Sequence, residues 1–103
     1  MENTCCNNHD EKKLESIANI LKVIAEPNRL KIICFLSKEK KCVCEIEKNF
    51  NLKQNLISHH LKILQDKGLI ICEKKAQWRY YFLNKDMIKN FTLIFKEILS
   101  FNN

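Results

Sequence analysis

The sequence predicts a mainly α-helical domain carrying a single β-hairpin, and three observations predict it. Apolar residues recur at helical spacing in segments on both sides of residues 69–83. Residues 69–83 themselves, LIICEKKAQWRYYFL, are rich in β-branched and aromatic types around a polar middle, the pattern of two short strands and a turn. Pro27 and Gly68 both fall where the helical pattern breaks, so they read as helix boundaries.

Leu14, Ile17, Ala18, Leu21, Ile24 and Ala25 mark a first amphipathic helix. Pro27 fits the first turn of a second helix and disfavours helical geometry in Glu26 before it. Leu30, Ile33, Cys34 and Leu36 or Ser37 carry that helix to about Lys38, with Cys34 expected in the core. The basic stretch from Lys38 to Lys41 interrupts it, and a short third helix follows from about Val43 to Phe50. Asn51 tolerates a left-handed backbone and suits a tight turn. Leu56, Ile57, His60, Leu61 and Leu64 then form the apolar stripe of a fourth helix, Gln54 to Lys67, closed by Gly68. Two helices joined by so short a turn make a helix-turn-helix, and the hairpin after them is its wing. The architecture expected is therefore a winged helix-turn-helix. A last helix, from about Lys85 to Phe101, carries Ile88, Phe91, Phe95, Ile98 and Leu99 on one side, more apolar surface than a small domain covers alone. Residues 1–10 lack periodicity and read as a flexible arm, leaving one domain over residues 11–103.

A chain of 103 residues with 46% hydrophobic content holds a thin core. A homodimer through the first and last helices is the expected way to finish it. Eighteen Lys and Arg against 12 Asp and Glu give a net charge of +6, which favours a polyanion, whether nucleic acid or a membrane surface. The fourth helix favours DNA. Its face opposite Ile57, Leu61 and Leu64 presents Gln54, Asn55, Ser58, His59 and Lys62, side chains able to bond base edges and phosphates, Asn and Gln being suited to adenine. The bland alternative is a solvated helix face. The wing counts against it, because Lys74, Lys75 and Arg79 beside Trp78, Tyr80 and Tyr81 offer a second basic contact to a flanking groove or phosphate row. His60, on the flank of the buried stripe, is expected to be structural.

The first ten residues hold no apolar export core, and Lys96 and Glu97 interrupt the most hydrophobic stretch, so neither a signal peptide nor a membrane span is expected. In the cytoplasm that this implies, six cysteines argue for metal binding or redox sensing rather than disulfides. Cys42 and Cys44 lie in or just before the first turn of the third helix and follow Lys38, Lys40 and Lys41, influences that lower thiol pKa toward the thiolate. Residues two apart on an ideal helix point to nearly opposite sides, so one ion could take both sulfurs only by unwinding that turn, which is the switch expected here. The plainer alternative is two ordinary half-buried thiols. No nucleophile-base constellation, phosphate loop or carboxylate pair is present, so no enzyme and no small organic substrate are expected.

Four segments, Leu21–Lys31 (LKVIAEPNRLK), Lys41–Ile46 (KCVCEI), Leu52–Leu69 (LKQNLISHHLKILQDKGL) and Gln77–Leu83 (QWRYYFL), resemble the ArsR/SmtB family of dimeric winged-helix metal sensors. The resemblance implies a repressor that sits on double-stranded operator DNA until a metal or metalloid binds, then lets go. Cys42-Val43-Cys44 is similar to that family's thiolate site on the third helix. The third cysteine of the family pattern is missing, and Glu47 stands in its place. Cys5 and Cys6 on the arm are the supplementary donors expected, with His9 a weaker candidate; the alternative is that the pair goes unused. Three thiolates suit As(III) or Pb(II), and four suit Cd(II) or Zn(II). The family's other site, His and carboxylate ligands on the last helix, looks absent, since residues 85–101 contain no histidine. Two departures concern the DNA-binding parts: Lys53 at the N-cap of the fourth helix, and Ala76 where such wings carry glycine. The competing function is a thiol redox or persulfide-sensing repressor of the same fold, for which two cysteines on one helix look poorly placed to pair.

Overall fold

The computed structural model describes residues 11–100. In chain order the elements are α1 (Glu11–Ile24), α2 (Pro27–Leu36), β1 (Lys41–Cys42), α3 (Val43–Asn49), α4 (Gln54–Asp66), β2 (Ile70–Lys75), β3 (Trp78–Leu83) and α5 (Lys85–Ile98). The strands form one antiparallel sheet in the order β1-β3-β2. This is a winged helix-turn-helix: α3 and α4 are the paired helices and the β2–β3 hairpin is the wing.

The helix boundaries follow from local chemistry. Glu26 caps α2, its carboxylate accepting from the Arg29 N–H at 2.9 Å, while Pro27 occupies the first turn where no N–H is needed. At the far end of α4 the Gly68 N–H bonds the Gln65 carbonyl and the Leu69 N–H bonds the Leu64 carbonyl, a Schellman closure. That closure needs a left-handed residue, and Gly68 supplies it at φ +76°. Asn84 caps α5 by accepting from the Met87 N–H. Lys53 contributes no side-chain cap to α4, as its chemistry suggested.

The core draws on every layer: Ile20 and Val23 of α1, Ile32 and Leu36 of α2, Ile46 of α3, Ile57, Leu61 and Leu64 of α4, then Leu69, Ile70 and Tyr81. Several sequence expectations change here. On α1 the buried face is Ile17, Ile20 and Val23, so Ala18 belongs to the outward side, and Ala25 lies exposed just past the helix end. On α2 the buried pair is Ile32 and Leu36, while Leu30 is 52% exposed and Cys34 lies at the surface instead of in the core. The run Leu30 to Leu36 is apolar nearly all round, so periodicity alone does not select its inner face. Leu56 leaves the apolar stripe of α4 and is exposed. α2 stops at Leu36 and α5 at Ile98, both shorter than expected. The sheet also gains β1, whose two residues are too few to leave a periodic signal.

α5 buries no residue completely. Phe91 and Phe95 stack on it at 5.6 Å, and Leu93 and Leu99 are more than half exposed. Among the described residues no helix is long and apolar enough to cross a membrane.

Candidate metal and nucleic-acid site

Cys42 is the N-cap of α3 and a β1 residue at once, with extended backbone at φ −67°, ψ 147°, and Cys44 lies in the first helical turn. Because Cys42 is not helical, the two side chains converge. The Cys44 thiol donates to Cys42 Sγ at 2.8 Å. The expectation that helical geometry holds the sulfurs on opposite sides is therefore wrong: they meet on one side of the helix start. Cys42 is 6% exposed and Cys44 faces solvent, so the pair is open from one side. The Cys42 N–H donates to Glu45 Oε1 at 2.9 Å, fixing the start of the helix.

The lysines do not dominate the thiol chemistry as the sequence suggested. The Cys44 thiol is pushed up, first by its bond to Cys42, which favours the protonated form, and then by partial desolvation. Lys41 spends its charge elsewhere, 4.8 Å from the Phe35 ring centre and 3.6 Å from Glu39. Among the described residues no group of three or more His, Cys, Asp or Glu is placed to hold a metal ion, and the two sulfurs of Cys42 and Cys44 stand together as a pair. Cys5, Cys6 and His9 lie outside the described residues. Cys34 lines a separate groove with Asn28, Lys31, Phe35, Phe50 and Leu52. Cys72 is half-buried opposite Tyr81 in the sheet.

On α4 the seven-residue spacing from Ile57 to Leu64 anchors the helix inward. Gln54, Asn55, Ser58, His59 and Lys62 are all exposed on its other side, and Lys75 and Arg79 are exposed on the wing. Gln54, Ser58, Lys62 and Arg79 come together around one groove of about 580 Å³ between α4 and β3. Asn55, His59 and Lys75 lie outside its lining. Sequence reasoning missed Gln65, Gln77 and Glu47 as lining residues, and it assigned Trp78 to the wing without placing it here. Trp78 is 47% exposed, and an unburied tryptophan beside a basic strand residue is the signal that could have found it. Val43 and Glu47 of α3 also line the groove, so the helix that begins at the thiols forms part of its wall.

His60 is the one charged-type side chain buried in the described core, at 5% exposure. Its Nε2 stands 4.0 Å from Glu26 Oε1, and its Nδ1 has no hydrogen-bond partner among the described residues. Burial lowers its pKa more than Glu26 raises it, and the ring packs within the core, the structural place expected of it.

A winged helix-turn-helix whose fourth helix and wing share a groove carrying Gln54, Ser58, Lys62 and Arg79 defines a DNA-binding regulator. The profile of the bacterial regulatory protein, arsR family, matches residues 26–71. An arsenical resistance operon repressor of Bacillus subtilis is 39% identical, covering 77% of this chain and 79% of its own length. An uncharacterised HTH-type transcriptional regulator of Methanocaldococcus jannaschii is 33% identical over 84% of this chain and 99% of its length. Among solved structures, HlyU from Vibrio cholerae superimposes with a TM-score of 0.73 at 30% identity, over 82% of this chain and 94% of that one, and a form described as reduced is also known. The chain belongs to the arsR family of transcriptional regulators.

Proposed function

We propose that the protein is a homodimeric transcriptional repressor that leaves operator DNA when a soft ion binds the Cys42 and Cys44 thiolates. The observation that carries this reading is the 2.8 Å approach of the two sulfurs at the start of α3, the helix whose Val43 and Glu47 wall the groove beside Gln54, Ser58 and Lys62. A soft cation or metalloid at these residues would supply strong bonds to sulfur. Cys42 cannot shift without moving β1 and the first turn of α3, since it belongs to both.

As(III) is the inducer favoured by the names of the arsenical resistance repressors, with Cd(II) or Pb(II) next and Zn(II) as a further ion the donor set accepts. Cys5 and Cys6 are the donors proposed to complete the site. Gln54, Asn55, Ser58 and His59 read or hold the DNA, and Lys62, Lys75 and Arg79 take phosphates. The dimer forms through α1 and α5, where Leu93, Leu99 and the Phe91–Phe95 stack offer apolar surface. Working on DNA, the protein acts in the cytoplasm.

Adding As(III), Cd(II), Pb(II) and Zn(II) in turn to the reduced protein on promoter DNA tests this, with a Cys42→Ser, Cys44→Ser variant beside it. Release of the wild type alone supports the reading.

A second reading, a thiol redox repressor, gains from the same contact. Two sulfurs 2.8 Å apart are closer to pairing than two cysteines on one helix would be. A peroxide would take two electrons from the two thiols, forming one S–S bond and reducing itself to water. Loss of DNA binding with peroxide in metal-free protein, restored by a dithiol, favours this reading.

A further inference from the structure

We propose that Lys40 and Glu73 clamp β1 to the wing, and that through this clamp occupancy of Cys42 and Cys44 is passed to Arg79 and Lys75. The inference rests on the thiolate reading above.

Cys42, Tyr80 and Glu73 stand in one row across the three strands: Cys42 pairs with Tyr80, and Tyr80 pairs with Glu73. Lys40, immediately before β1, reaches across that row. Its Nζ lies 5.5 Å from the Tyr80 ring centre and 3.0 Å from Glu73 Oε1. A residue of the β1 side is thus tied to the far strand, over the strand between them. The next two rows toward the wing tip are Lys74 with Arg79 and Lys75 with Trp78. The wing cations therefore begin one row from the buried sulfur.

β1 has only two residues, so its own pairing to β3 is slight, and a shift at Cys42 could be lost by fraying of that edge. The clamp opposes this fraying, by the modest amount an exposed ion pair contributes. With Lys40 bound to Glu73, a displaced β1 pulls on both strands of the hairpin, on β3 through the Cys42–Tyr80 pairing and on β2 through Glu73. Both side chains are nearly half exposed, at 45% and 42%, so the pair adds little to stability and can be removed without unfolding the domain. A signal travelling only through α3 into α4 would ignore both residues. Lys40 and Glu73 are positioning residues in this scheme, touching neither ion nor DNA.

The test uses Glu73→Gln, Lys40→Gln and the charge swap Lys40→Glu with Glu73→Lys in the full chain. Cd(II) uptake is read from sulfur-to-metal charge-transfer absorption. DNA dissociation constants are read by anisotropy on one promoter duplex, with and without Cd(II). Each single variant is expected to bind Cd(II) within about twofold of wild type while the Cd(II)-induced ratio of DNA dissociation constants falls about two- to fivefold, and the swap restores it. An unchanged ratio in the single variants of a responsive wild type overturns the clamp alone. Where As(III) or Pb(II) releases the wild type and Cd(II) does not, the same ratios are read with that ion; a wild type whose DNA binding ignores As(III), Cd(II) and Pb(II) alike overturns the thiolate reading and the clamp together.

Discussion

The Cys44 thiol donates to Cys42 Sγ at 2.8 Å because Cys42 is an extended cap residue and Cys44 a helical one. The convergence exists before any ion arrives, so α3 keeps its helix on binding. Circular dichroism at 222 nm, followed while Cd(II) is added to the reduced protein, is expected to change by less than the signal of one turn, about four residues. A loss of one turn or more of the seven-residue α3 would return the unwinding switch to consideration.

Backbone handedness makes opposite predictions at two positions. Gly68 holds φ +76° with the nearest side-chain atom, Met87 Cε, 4.0 Å from where a Cβ would stand, so Gly68→Ala meets no clash and loses about 1 kcal/mol through conformation alone. Ala76 sits at the wing tip with φ 55°, which a side chain tolerates poorly. Ala76→Gly is expected to gain roughly 0.5–1 kcal/mol, and urea unfolding of both variants checks the pair.

DNA contacts separate into two kinds. Lys62→Ala and Arg79→Ala are expected to weaken binding to every duplex alike and to reduce the slope of log affinity against log salt by about one each. Gln54→Ala is expected to leave that slope alone and to cost about 1–3 kcal/mol on the operator only. Titrations at several salt concentrations distinguish them.

His60 gives the fold a pH dependence of definite sign. Burial lowers its folded pKa, with Glu26 opposing, so the unfolded chain takes up a proton near pH 6.5 that the folded chain resists. The stabilisation from the neutral ring is complete above about pH 6.5 and is lost as pH falls toward the folded value. Urea midpoints at pH 7.5 and 5.5 should drop more for wild type than for His60→Gln.

The fold was largely legible, because the boundaries are set by side chains with one evident use: Pro27 and Glu26 opening α2, Gly68 closing α4, and Ile57, Leu61 and Leu64 marking its inner face. What escaped was set by contacts between distant parts. The inner face of α2 depends on which neighbours flank an all-apolar run, and β1 exists only because Tyr80 and Tyr81 lie beside it. The exposed positions of α4 were readable from helical spacing, yet the groove that joins Gln54, Ser58 and Lys62 to Arg79 needs the wing folded back against α4. The thiols were recognisable as a pair. Their geometry was not, because it turns on one extended residue at the helix start.

In the proposed mechanism Cys42 and Cys44 together sense a soft ion and govern DNA binding. The most direct measurement is the DNA dissociation constant of the reduced wild type and of the Cys42→Ser, Cys44→Ser variant, with and without As(III), on one promoter duplex. The wild-type constant is expected to rise at least tenfold with As(III), or failing that with Cd(II) or Pb(II), while the variant binds DNA equally well in both states. Equal release of wild type and variant, or release of neither by any of these ions, would contradict it.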